Sequence, residues 1–253
     1  MWHLGHRHQR ILLMPQKAPS SDEDPEPCWH WVHCTDQRQQ RGGSHSRLDL
    51  LGQLDPALPC VLVMPPHTIA LVALERGVLG HSDPQASLDT LIAKELCVSR
   101  QSLAVHVLNQ DHQYLDVMVI QRGLLAQCLN RLHRQQLHPT WWSSAFQGLP
   151  LPDPGHLAVL PWGDDWMLKW RQPQALERER WLSWPKSQEL EQLSQQLPDE
   201  LRDSPWNCPL APDASSSLDC LAFFARHLPV DLPRVPKDMQ DPGELSQATP
   251  ETA

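Results

Sequence analysis

Glycine is scarce, with 11 in 253 residues, and the glycine-dependent signatures of nucleotide and acyl chemistry are absent. There is no G-x-x-x-x-G-K-[ST] loop, no G-x-G-x-x-G after a strand and no G-x-S-x-G elbow. Three large enzyme classes lose their sequence evidence. Basic residues are outnumbered, 21 Lys and Arg against 30 Asp and Glu, for a formal net charge of −9. A surface with this balance and no dense basic block is poorly suited to releasing counterions from nucleic acid, so no nucleic-acid partner is expected. Long apolar runs are missing as well. Residues 61–64 and 69–74 fall far short of the ~18 that a membrane helix needs. The start, residues 1–8, has neither an apolar signal core nor a small-residue cleavage site, so the expected compartment is the cytosol. Seven cysteines at 28, 34, 60, 97, 128, 208 and 220 form no paired framework and read as reduced thiols.

What is present is tryptophan, 11 against three Phe and one Tyr, together with 25 prolines. At least half of the tryptophans belong in cores, while Trp141, Trp142 and Trp184 are the best interface candidates. Residues 15–27 are too polar and proline-rich to bury anything and read as a loop. Around it, 28–34 alternates with a period of two and predicts a strand that can pair with 10–14. A loop with Gly42 and Gly43 follows over 38–47, then a short helix carrying Leu48, Leu50, Leu51 and Leu54. The apolar runs 60–64 and 68–74 predict two buried strands joined by a tight turn at Pro65 and Pro66.

Asp83 before Pro84 predicts a helix start, and Leu88, Leu91, Ile92 and Leu96 give it one apolar face. Residues 103–108 and 114–120 read as a β-hairpin. A helix over 122–136 is ended by Pro139. Strands at 156–160 and 166–170 flank a turn at Gly163, Asp164 and Asp165. Leu190, Leu193 and Leu197 mark one more helix, and Leu218, Leu221, Ala222, Ala225 and Leu228 another behind a Ser217 cap. From Pro229 onward prolines and acidic residues predict a disordered tail or tether. The expected division is 1–81, 82–152, 153–229 and a tail at 230–253.

Three clusters could carry chemistry. Asp153-Pro154-Gly155 matches a D-x-G phosphate loop formally, but the proline removes a backbone N–H, and an ordinary turn is the simpler reading. Cys28, His30, His33 and Cys34 carry zinc-type ligand atoms. A strand separates the two cysteines by roughly 20 Å, too far for one ion with bonds of about 2.3 Å, so the metal reading requires a sharp fold. His3, His6 and His8 at the terminus are given no role. Asp164 and Asp165 as an acid–base pair compete with plain turn formation, since no histidine or nucleophile lies near them in sequence.

The series of elements resembles the cytoplasmic domain of the type II secretion system protein L family. Ile11-Leu12-Leu13, Trp29-His30-Trp31 and Cys60-Val61-Leu62-Val63-Met64-Pro65 are similar to the family's opening strands. The helix at 88–96 is similar to its L-x-x-L-L-E-x-x-L/I helix, and Asp116-Val117-Met118-Val119-Ile120-Gln121-Arg122 to its D-V-x-V-V-x-R passage. Trp162-Gly163-Asp164-Asp165-Trp166-Met167-Leu168-Lys169 is similar to its L-G-D-x-W-L-V-R hairpin, whereas Ala145 stands where the family usually has Asp. The resemblance covers about 11–184. It implies an α/β (α+β) fold of actin-like, RNase H-like mixed sheets with flanking helices in two or three subdomains. It further implies a cytoplasmic adaptor without enzymatic activity or cofactor, at the cytoplasmic face of the bacterial inner membrane. The implied partners are the N-terminal domain of the secretion ATPase and the M and F components of the inner-membrane platform, with a homodimer also open. On this reading Asp89, Lys94, Glu95, Trp141 and Trp142 are the candidate partner contacts. Gly163 and Asp164 form a turn, and Trp166 and Val117 sit in cores. The alternatives are an actin-like nucleotide-binding pilus-assembly protein and a zinc-binding protein using 28–34.

Overall fold

The computed structural model describes residues 10–17, 19, 24–25, 27–34, 40–45, 51, 53–75, 84–110, 113–173, 175–188, 190–204, 206–209, 216–229 and 231–240. The chain runs β1 (Arg10–Pro15), β2 (Trp29–Cys34), β3 (Gln40–His45), β4 (Cys60–Met64) and β5 (Ile69–Glu75), then α1 (Pro84–Glu95). It continues through β6 (Leu103–Gln110), β7 (Tyr114–Gln121), α2 (Arg122–His133) and β8 (Trp141–Ser144). The last part holds β9 (Leu157–Trp162), β10 (Asp165–Gln172), β11 (Ala175–Pro185), α3 (Leu190–Gln196), β12 (Trp206–Asn207) and α4 (Ser217–His227).

Three sheets result. The first has the order β3-β2-β1-β4-β8, with β4 parallel to both its neighbours. Every residue of β4 is buried, as are residues 11–15 of β1, which is why these strands read as unbroken apolar runs and not as alternating ones. Leu125, Cys128, Leu129 and Leu132 of α2 join their core, together with Cys220, Leu221 and Phe224 of α4. The second sheet, β5-β7-β6, is antiparallel throughout and buries Val72, Val117 and Val119 with Leu88 and Ile92 of α1. The third, β11-β10-β9-β12, packs Val159 and Leu168 with Leu193 and Leu197 of α3.

Several expectations are corrected. Residues 60–64 and 69–75 are not a hairpin. Pro65 and a 3-10 turn at Pro66–Thr68 redirect the chain, with the Thr68 hydroxyl donating to the Pro65 carbonyl at 2.7 Å, and β5 leaves for the second sheet. Strand pairing therefore crosses the expected 81/82 limit, and β8 returns to complete the first sheet. The helix α4, expected with 153–229, packs against β2 of the first sheet. Gly42 and Gly43 lie in a strand and not in a loop. A Cβ on Gly42 would stand 2.8 Å from the Trp31 carbonyl oxygen, and one on Gly43 2.9 Å from Trp31 Nε1, so the glycines let β3 approach Trp31.

The proposed 48–54 helix is a single turn at its described end, closed by Leu54 N–H to the Leu51 carbonyl; Leu48 and Leu50 lie outside the described residues, as does Asp83. In the 15–27 loop Pro19 is buried, and Arg131 Nη2 donates to the Asp24 carbonyl at 3.1 Å. The cap of α4 is Ser216, one residue earlier than expected. Its Oγ accepts from Asp219 N–H while the Asp219 carboxylate accepts from Ser216 N–H, a reciprocal box.

The tail is the largest correction. Residues 231–240 are docked, not disordered: Trp142 N–H donates to Pro233 O at 3.0 Å, and Val235 N–H to Thr140 O at 3.0 Å. Val235 and Met239 are buried, and Arg122 pairs with Asp238. A proline-rich segment cannot donate enough hydrogen bonds to form a regular strand, yet its few apolar side chains suffice to hold it along β8. Residues 241–253 lie outside the described residues.

Candidate functional site

Lys94 and Glu95 are exposed at the end of α1, and the Asp89 side chain lies outside the described residues. Trp142 is no surface contact: it is 1% exposed in the first core, because residues 233–235 run over β8. Trp141 is half-buried and packs against the same core. Of the four whose side chains are described, Lys94 and Glu95 lie on the helix that packs on the second sheet, and Trp141 and Trp142 on a strand of the first. Trp184 is also half-buried, against the third core, whereas among the described residues the exposed tryptophan is Trp206, edge-on to Trp166 at 6.0 Å. Val117 is fully buried. Gly163 has φ +51° in the β9–β10 turn, and Lys186 Nζ donates to its carbonyl at 2.8 Å while standing 5.0 Å from the Trp166 ring. Trp166 is only half-buried.

The zinc-type residues are not drawn together. His30 Nδ1 shares a 2.7 Å hydrogen bond with Ser44 Oγ, and its ring is edge-on to Trp162. Burial pushes the Cys34 thiol up to about 11 against the pull of Arg10, and raises Cys28 too. Thiols held in the protonated form are poor zinc ligands. Among the described residues no three His, Cys, Asp or Glu side chains converge as a metal site. Asp153-Pro154-Gly155 is a turn, with Gly155 at φ +77° and His156 N–H donating to Asp153 O.

Two arrangements went unseen in the sequence. First, Asp116 of β7 is 2% exposed, yet Arg178 and Arg180 from β11 both reach it. Arg178 also covers the Tyr114 ring at 4.4 Å. Sequence reading places Asp116 in a motif but not in an ion pair, because its partners arrive on a strand that it missed. Second, Asp165 meets a histidine after all: His67 Nδ1 is 3.8 Å from its carboxylate, across a cleft of about 370 Å³ that Phe146, Trp181 and Ser183 also line. Burial lowers the His67 pKa, Asp165 opposes that and Lys17 adds to it. A second cavity, of about 250 Å³, lies among β6, Arg122, Trp142 and residues 233–236. Among the described residues no helix is long and apolar enough to cross a membrane.

No family model matches the sequence, and no curated protein matches it significantly. The fold is mixed α/β with several sheets and few helices, and solved structures resemble it. The cytoplasmic domain of EpsL, an inner-membrane component of the type II secretion system of Vibrio cholerae, is 15% identical and covers 87% of this chain and 94% of its own, with a TM-score of 0.61. A PilM–PilN type IV pilus biogenesis complex is 11% identical over 70% of this chain and 62% of that one, with a TM-score of 0.45. A Bacteroides thetaiotaomicron protein described as having an actin-like ATPase fold is 5% identical over 76% and 75%, with a TM-score of 0.43.

Proposed function

We propose that this chain is a non-enzymatic adaptor of a type II secretion platform, docking the N-terminal domain of the secretion ATPase to inner-membrane components on the cytoplasmic side. The observation that carries the reading is the shared fold with the EpsL cytoplasmic domain along nearly the whole of both chains. The exposed end of α1, with Lys94 and Glu95, is the contact region on this reading.

Titration of this chain with the N-terminal domain of the secretion ATPase from the same cell tests it. Saturable 1:1 binding that does not require ATP is expected. The double charge swap Lys94→Glu, Glu95→Lys should weaken it about tenfold, since charge reversal at an interface places like charges together. No binding at tens of micromolar, where a specific interface of ordinary size registers, sinks the adaptor reading. Binding that requires ATP would favour a nucleotide-dependent assembly protein instead.

A further inference from the structure

Two strand edges from different sheets border one cleft. β5 ends the order β5-β7-β6 and β11 ends the order β11-β10-β9-β12, so among the described residues each has one side without a strand neighbour. Ile69, Ala70 and Leu71 of β5 line the cleft, and so do Trp181, Leu182 and Ser183 of β11. Successive side chains of a strand point to opposite faces. A run of three consecutive residues can therefore border one cavity only along the strand edge, where main-chain N–H and C=O groups face outward. Among the described residues no backbone hydrogen bond joins β5 to β11 across this gap. A cavity of about 370 Å³ is at the small end of binding clefts, enough for a short extended segment.

The lining adds two features. Trp181 is 8% exposed and stacks on Phe146 at 5.2 Å and 6°, yet its indole N–H finds no acceptor. That donor is itself enclosed, so what Trp181 offers an entering chain is a rigid apolar wall braced by Phe146. At the other polar point Asp165 keeps 21% exposure, with His67 at 3.8 Å.

We propose that this cleft docks an extended peptide segment of a partner protein, added as a strand along the free edge of β5, with a basic side chain against Asp165. Exposed Ala70 leaves room beside that edge, main-chain pairing supplies the affinity, and the apolar walls select alternate side chains. The proposal goes beyond the adaptor reading and does not depend on it.

The probe is a fluorescein-labelled heptapeptide, Val-Thr-Val-Arg-Val-Thr-Val, followed by fluorescence anisotropy with the full chain. Binding at tens of micromolar is expected, weakened about tenfold when the central Arg is replaced by Glu. Asp165→Asn should remove that discrimination, and Ala70→Trp, which fills the cleft from an exposed position, should abolish binding while circular dichroism stays native. N-methylation of the peptide at alternate residues should block binding in one phase and leave it intact in the other, because only one peptide edge pairs. Equal binding by both N-methylated peptides, no preference for Arg over Glu, or no binding at several hundred micromolar overturns the proposal. ATPase-domain titration with Ala70→Trp separates the two readings: adaptor binding is expected to survive it.

Discussion

Arg178 holds Asp116 through two hydrogen bonds, Nε to Oδ2 at 2.9 Å and Nη2 to Oδ1 at 2.5 Å, and the two side chains keep only 4% and 2% exposure. Arg180 Nη1 adds a third bond at 2.9 Å. The pair ties β11 to β7, and with it the third sheet to the second. Removing Asp116 takes the carboxylate from the buried Arg178, a loss of about 3–5 kcal/mol. Asp116→Ala should lower stability by that order in urea denaturation, and Arg178→Met by less, because Arg180 still reaches Asp116. The double variant Asp116→Leu, Arg178→Met should recover most of the loss; a double loss equal to the sum of the singles would show that the two side chains act separately.

The docked segment 231–240 is the second prediction. Val235 is 1% exposed and Met239 3%. Val235→Asp puts a charge where an apolar side chain was enclosed and should destabilise the chain by about 2–4 kcal/mol, measured by the same denaturation. A free tether would tolerate it, so an unchanged midpoint would restore the tether reading.

The pH dependence on the acid side follows from His30. Burial lowers its pKa below the usual 6.5, because the folded state disfavours the charged ring. The unfolded chain therefore binds a proton first as pH falls, and this group's contribution, full above 6.5, is lost as pH drops through the lower folded value. His30→Gln should flatten the decline of stability between about pH 7 and pH 5. An identical slope in the variant would remove His30 from the account.

On the alkaline side the thiols act in the opposite direction. Burial pushes Cys60 and Cys220 up to about 12, so the folded chain keeps protons that the unfolded chain loses near 9, and stability falls as pH rises above that. A thiol reagent on the native protein should label Cys97 and Cys208, both exposed, well before Cys60, Cys128 and Cys220, which are buried. Rapid labelling of Cys220 without denaturant would mean that α4 opens locally.

Local signals in the sequence carried much of the fold. The runs at 60–64 and 114–120, the leucine spacing of α1 and α2, and the turn at Gly163 follow from periodicity and backbone preference, which act within a few residues. β3 escaped because two glycines weaken strand propensity, and what makes them suitable is the Trp31 carbonyl and ring, which belong to another strand. β11 escaped because charged residues such as Arg178 and Glu179 interrupt its pattern, and their burial is made tolerable by Asp116 and Lys169. The cluster at 28–34 has zinc-type ligand chemistry in sequence and becomes an ordinary strand once Ser44 takes His30.

By itself the sequence determined many of the elements, the acidic balance and the lack of glycine-dependent phosphate-loop signatures, since each depends on residue identity and near neighbours. Only the tertiary structure decided which strands share a sheet, that Trp142 is buried in one core with Val235 and Met239, and that Asp116 meets Arg178 and Asp165 meets His67. Those pairings depend on where distant segments stack. The free energy that selects them comes from burial and compensation of charge across the whole chain, and no local window contains it.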